Sequence, residues 1–282
     1  MSVVHDDRRC ELGEGPLWHP LRRQLFWFDI LDRRLLTRAA GRARSWRFDA
    51  MVSAACWVSE DELLIASERE LFVFDLETGK SRPVCPVEAD NPATRSNDGR
   101  ADPWGGFWIS TMGKRAEPGA GAIYRHYGGE LRRLHGGMTI PNAICFSPDR
   151  RHAYHADTAD RVIRRQSLDP ETGWPSGEAA PWLDLGPDGL NPDGAVTDAA
   201  GNLWIAQWGA GRVACHAPDG TFLGAVSFPA RHSSCPAFGG DDFTTLFCTS
   251  ALEGLKDAGP GDGRTHAAPG AGQGRAEPRA LP

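Results

Sequence analysis

No stretch of about 18 apolar residues occurs in this chain, so no segment qualifies as a membrane-spanning helix. The opening residues, Met1 to Arg9, carry acids at once and no apolar h-region, so no secretory signal is visible and a cytoplasmic protein is expected. Cysteine is present but unpatterned. The seven, at positions 10, 56, 85, 145, 215, 235 and 248, are odd in number, lie no closer than 13 residues apart and include no C-x-x-C. That spacing excludes a disulfide framework and a thiolate zinc site. The nine histidines form no H-x-H or H-E-x-x-H pattern, so any bound metal is expected to be held by oxygens. Positive charge is in deficit, 31 Lys and Arg against 37 Asp and Glu. This argues against nucleic acid as a partner, and nothing points to a membrane.

Helical periodicity is absent, and only 4 methionines occur beside 33 glycines, 21 prolines and 10 tryptophans. Apolar residues come instead in short runs bounded by turn formers: Leu25–Phe28, Leu63–Ala66, Phe107–Ile109, Leu203–Ile205 and Leu246–Cys248. At 40% hydrophobic and 24% charged residues, the chain has an ordinary globular balance with apolar mass for a real core.

The runs belong to a repeat. A unit opens with a short or polar residue and a first strand, reaches a turn residue five places on, and starts a second strand soon after. Such units begin at Glu14, Ala54, Asn97, Asn142, Asp193 and Ser234, with turn residues His19, Ser59, Asp102, Ser147, Asp198 and Gly239. Successive starts are 40 to 51 residues apart. Six β-only units of this length predict an all-β fold, a six-bladed β-propeller, because each blade is a four-stranded sheet of roughly 40–50 residues. Residues 1–254 are assigned to this propeller domain, with the N-terminal segment pairing at the outer edge of the terminal blade. Residues 255–282, rich in Gly, Pro and Ala with no alternation, are expected to be a disordered tail lacking the strands that would complete the last blade.

In a propeller the first strand of each blade lines the central channel, so the six starting residues should form a ring. That ring carries two carboxylates and two amides and no Lys or Arg. Buried carboxylates facing one another need positive compensation, and a bound cation is the simplest source. Water filling the channel is the plainer alternative.

Several segments together resemble the SMP-30/gluconolactonase/luciferin-regenerating-enzyme family: Leu12–Trp18 (LGEGPLW), Arg95–Gly99 (RSNDG), Gly106–Met112 (GFWISTM), Pro141–Asp149 (PNAICFSPD) and Pro192–Asp198 (PDGAVTD), with Gly201–Ala206 and Phe238–Gly240 in agreement. The resemblance runs in order over about residues 10 to 254. It implies one divalent metal ion (Ca, Mg, Mn or Zn) on Glu14, Asn142 and Asp193, with Arg95 and Asn97 contacting substrate. It also implies hydrolysis of a small-molecule sugar lactone, gluconolactonase-like, to the aldonic acid. Asp193, beside the position of the attacking water, is expected to be both ligand and general base. A metal-dependent phosphotriester hydrolase on the same scaffold and a non-catalytic binding propeller are the alternatives. Lys114, just past an inner strand, is expected to be solvated and is not counted as catalytic. The oligomeric state is left open.

Overall fold

The structure, a computed structural model, describes residues 1–282 and contains 24 strands and no helix. No helix long and apolar enough to cross a membrane exists. A first strand, β1 (Val3–Asp6), stands apart from the blade that follows it. Blade one comprises β2 (Gly13–His19), β3 (Gln24–Asp29), β4 (Arg34–Ala39) and β5 (Arg42–Arg47). Blade two comprises β6 (Val52–Trp57), β7 (Glu62–Ser67), β8 (Glu70–Asp75) and β9 (Ser81–Pro86). Blade three comprises β10 (Thr94–Ala101), β11 (Phe107–Gly113), β12 (Gly121–Tyr127) and β13 (Glu130–Met138). Blade four comprises β14 (Pro141–Phe146), β15 (His152–Asp157), β16 (Val162–Ser167) and β17 (Ala180–Asp184). Blade five comprises β18 (Asn191–Thr197), β19 (Leu203–Trp208), β20 (Arg212–His216) and β21 (Phe222–Ser227). The sixth contains β22 (Ser233–Gly239), β23 (Thr245–Ser250) and β24 (Thr265–Ala268), with β1 as its outermost strand. All pairings are antiparallel. The six-bladed propeller read from the repeat is the fold.

Strand composition follows position in the blade. The second strands, buried on both faces, carry the unbroken apolar runs, as in β3 and β11. Outer strands β5 and β21 are mostly exposed and accordingly polar or mixed. The core lies between blades rather than at one centre: Leu17, Phe26 and Phe28 of blade one meet Leu63, Ile65 and Phe72 of blade two. Asp102 and Asp198 secure the first turn of their blades, each accepting two backbone N–H groups at 2.9 Å. This is the Asx geometry that turn aspartates supply.

The expectation of a disordered 255–282 tail is corrected. Thr265–Ala268 forms β24, held between β23 and β1, with Val3 opposite Ala267 and Cys248 opposite His266. A four-residue strand with ladders on both sides needs little β propensity of its own, which is why its sequence hid it. Ring closure is fixed further by Asp6, whose buried carboxylate pairs with Arg8 and Arg38. Burial alone would raise Asp6, but the arginine hydrogen bonds hold it below the ordinary range.

Beyond β24, residues 272–281 cross the propeller as a strap. Gln273 O accepts from Ala199 N at 2.8 Å, Gly274 N donates to Phe243 O at 2.9 Å, and Glu277 O accepts from Trp57 Nε1 at 2.8 Å. Ala280 N and Leu281 N donate to Trp57 O and Gly105 O at 2.9 and 2.8 Å. These partners belong to blades five, six, two and three, at or beyond the ends of their inner strands. The strap therefore closes one mouth of the channel.

Candidate functional site

The other mouth opens into a cavity of about 370 Å³. Glu14, Arg95, Asn97, Asn142 and Asp193 all line it, so the five site residues expected from sequence come together in one place. Four of the six repeat-start residues are among them. Ala54 is instead fully buried core, and Ser234 is buried with its hydroxyl on Gly13 O and Thr249 Oγ1.

A backbone device turns these residues toward the cavity. Every innermost strand carries a register irregularity at or beside the ring position: Glu14/Leu17, Val52/Ala54, Ser96/Gly99, Asn142/Cys145, Pro192/Ala195 and Ser233/Pro236. Such bulges re-aim side chains out of the regular pleat. Gly15 shows why glycine follows Glu14: its φ is 54°, and an added Cβ would lie 2.2 Å from Ser53 O. Ala143, after Asn142, takes φ 59° despite its methyl.

A hydrogen-bond relay orders the polar side. Arg95 Nη1 donates to Asn97 Oδ1 at 2.8 Å, and Asn97 Nδ2 donates to Asn142 Oδ1 at 2.9 Å. Asn142 Nδ2 donates to Thr158 Oγ1 at 2.9 Å, whose hydroxyl continues to Pro192 O at 2.7 Å. This fixes the amide of Asn142 with its oxygen toward Asn97 and one lone pair still free.

The carboxylates are less well satisfied. Glu14 accepts a hydrogen bond only from its neighbour Gly15 N, at 3.0 Å. Burial and then the nearby Asp98 push it up to about 8. Asp193 lies well above the ordinary carboxylate range, first through burial and then through repulsion by Glu14 and Asp98. Asp98 is raised by burial as well. Burial pulls Arg95 down against the opposing pull of Glu253, Glu14 and Asp193. One arginine thus faces several mutually repelling acids.

The residues present fit a hard divalent cation. Two carboxylates and an amide supply oxygen donors, no thiol or imidazole lines the cavity, and Glu14, Asp193 and Asp98 outnumber the one arginine, Arg95, that faces them.

Other lining groups were not foreseen: Thr158, Glu253 and Trp208, the last stacked on His232 at 4.1 Å. Lys114 also reaches the cavity, although its ammonium is ion-paired with Glu68 and its side chain is about one-third exposed. Asp98 and Arg100, beside Asn97 in sequence, are buried below the cavity. Plain alternation from Asn97 would have pointed to Gly99 and Ala101 instead; the register irregularity between Ser96 and Gly99 interrupts that pattern.

A six-bladed propeller with acids and amides gathered at one channel mouth defines the class of protein. The model described as SMP-30/Gluconolactonase/LRE-like region matches residues 12–252, and the chain belongs to that family. It is 36% identical over 259 residues to an L-arabinolactonase of Azospirillum brasilense, covering 89% of this chain and 84% of that protein. It is 34% identical over 248 residues to a 6-deoxy-6-sulfogluconolactonase of Pseudomonas putida, covering 86% and 84%. Among solved structures, a calcium-binding protein, regucalcin, from Agrobacterium tumefaciens superposes with a TM-score of 0.96 at 39% identity, over 99% of this chain and 97% of that one.

Proposed function

We propose that this chain is a divalent-metal-dependent hydrolase of a hydroxylated sugar lactone, with Glu14, Asn142 and Asp193 holding the ion and Arg95 and Asn97 holding the substrate. The carrying observation is the convergence of two under-compensated carboxylates, a fixed amide oxygen and a buried arginine on one cavity. Lactonases among the relatives, and a structural relative described as calcium-binding, support the reading.

Held by Glu14, Asn142 and Asp193, a divalent ion would polarise the lactone carbonyl as a Lewis acid and would lower the pKa of water beside it. The remaining work falls to the chain. Asp193, held ionised once its repulsion with Glu14 is relieved, takes a proton from the attacking water. Water oxygen bonds to the carbonyl carbon, the ring C–O bond breaks, and the departing ring oxygen receives the proton. Water is thereby added across the ester to give the hydroxy acid. Arg95 offers positive charge to the developing oxyanion, and Arg95 with Asn97 hydrogen-bonds ring hydroxyls. Those polar groups favour a hydroxylated lactone over an apolar phosphotriester. The buried thiols suit a reducing, cytoplasmic setting, which is part of the same reading.

A panel of aldonolactones and phosphotriesters, read by pH indicator or product absorbance with and without chelator, tests this. Lactone turnover that chelation abolishes and added Ca, Mg, Mn or Zn restores is expected. Faster phosphotriester turnover, or no turnover of any lactone, would refute it.

A further inference from the structure

We infer that Arg100, neutralised by Glu277 of the C-terminal strap, is the positioning residue that holds Asn142 and Asp193 in place for the ion. The inference rests on the metal-site reading above. Arg100 lies in the channel, 7% exposed, below the cavity. Its Nε donates to Ile144 O at 3.1 Å and its Nη2 to Ala195 O at 2.9 Å. Its Nη1 forms an ion pair with Glu277.

Those two carbonyls are not arbitrary. Ile144 and Ala195 each lie two residues after a proposed ligand, within or at the edge of the irregularity that turns that ligand toward the cavity. One guanidinium therefore ties blade three to the bulges of blades four and five. The neighbouring peptide group is held from its other side as well: Ile144 N donates to Asp98 Oδ2 at 2.7 Å. Asp98 and Arg100, alternate residues of β10, clamp the N–H and C=O of one bulge residue. The planar fork of arginine satisfies three acceptors in fixed directions, whereas a lysine ammonium cannot span them.

The strap completes the device. A guanidinium this deep needs a counter-charge, and Glu277 provides it across the closed mouth, its side chain 12% exposed. Without Glu277, only the buried Asp98 would offset the cation under the site, and its remaining charge would repel a divalent ion above it.

The test measures divalent binding to the full-length protein by calorimetry with Ca²⁺ and Mn²⁺, alongside chelated thermal unfolding and steady-state lactone kinetics. Arg100→Lys keeps the charge but not the fork, and should raise the Kd for both ions at least tenfold. Its kcat should fall when sub-saturating metal is used and recover largely at saturating metal, with KM for lactone little changed. Glu277→Gln, at the far end of the pair, should raise the Kd about threefold to tenfold and carries the test if Arg100→Lys does not fold. A lower Tm with wild-type Kd in the folded variants would make Arg100 merely structural and overturn the inference alone. A wild-type chain that binds neither ion would overturn both this inference and the metal-site reading.

Discussion

Replacing Glu14 by Gln removes one of two repelling carboxylates while keeping side-chain size, and its effect on the metal-free protein should depend steeply on pH. The folded-state pKa of Glu14 is pushed up to about 8 from an ordinary 4.5. Between these values the folded chain binds more protons than the unfolded one. Stability is therefore full below about 4.5 and is lost as pH rises toward 8. At about 1.4 kcal/mol per pH unit, the loss has a ceiling of about 4 kcal/mol at pH 8. Glu14 is only partly buried and lines an open cavity, and allowing for solvent screening leaves roughly 2–3 kcal/mol. Buried histidines such as His155, lowered to about 3 chiefly by burial, tilt the profile oppositely at acid pH. They are common to both proteins and cancel in the difference. In chelator, Glu14→Gln and wild type should melt together near pH 5, with the variant roughly 3–5 °C higher at pH 8. Saturating divalent ion should reverse that order, because only the wild type keeps both carboxylate ligands. A difference in Tm that does not change between pH 5 and 8 would refute the argument.

Asp193→Asn should weaken metal binding and lower kcat by about 10²-fold or more in initial-rate assays at saturating metal; near-normal turnover there would remove Asp193 from the role of base. Arg95→Ala should act more on KM than on kcat, since its hydrogen bonds to substrate hydroxyls exist before and during the reaction, and a Michaelis series on one good lactone separates the two. Gly274→Ala should destabilise the chain by about 1–3 kcal/mol, because the new Cβ would lie 2.1 Å from Phe238 Cβ. An unchanged thermal midpoint would mean that the strap is not seated there.

The repeat made the fold legible because blade structure imposes a period of turns and apolar second strands that survives in one sequence. It made the site legible for the same reason: Glu14, Asn97, Asn142 and Asp193 occupy one position of one repeat. Thr158 and Glu253 come just after the second strands of their blades, β15 and β23, in loops whose residue types differ from blade to blade, so the repeat did not single them out. The C-terminal strap was misread because its composition has a packing cause that imitates disorder. Gly272 and Gly274 lie flat on Trp204 and Phe238, where added Cβ atoms would sit 2.9 and 2.1 Å from ring or side-chain carbons. Glycine there records contact rather than looseness. Arg100 directly follows the Arg95–Gly99 segment, but its partners Ile144 and Ala195 are backbone groups of other blades, and backbone partners leave no trace in residue identity.

The joining of β1 to β24 also bears on how the protein is made. A chain emerging from the ribosome has exposed Glu14 early and Asp193 long before the last blade is finished. Only when residues 265–281 are released does β24 meet β1 and the strap reach Arg100. Every proposed ligand can thus be synthesised without an enclosed site. A prematurely terminated product would carry every proposed ligand on an open ring, with unpaired edges at β1 and β23 available for pairing with other chains. Ribosome-bound chains stalled before residue 265 should therefore be protease-sensitive as a whole, and full resistance should arrive in one step with the final segment.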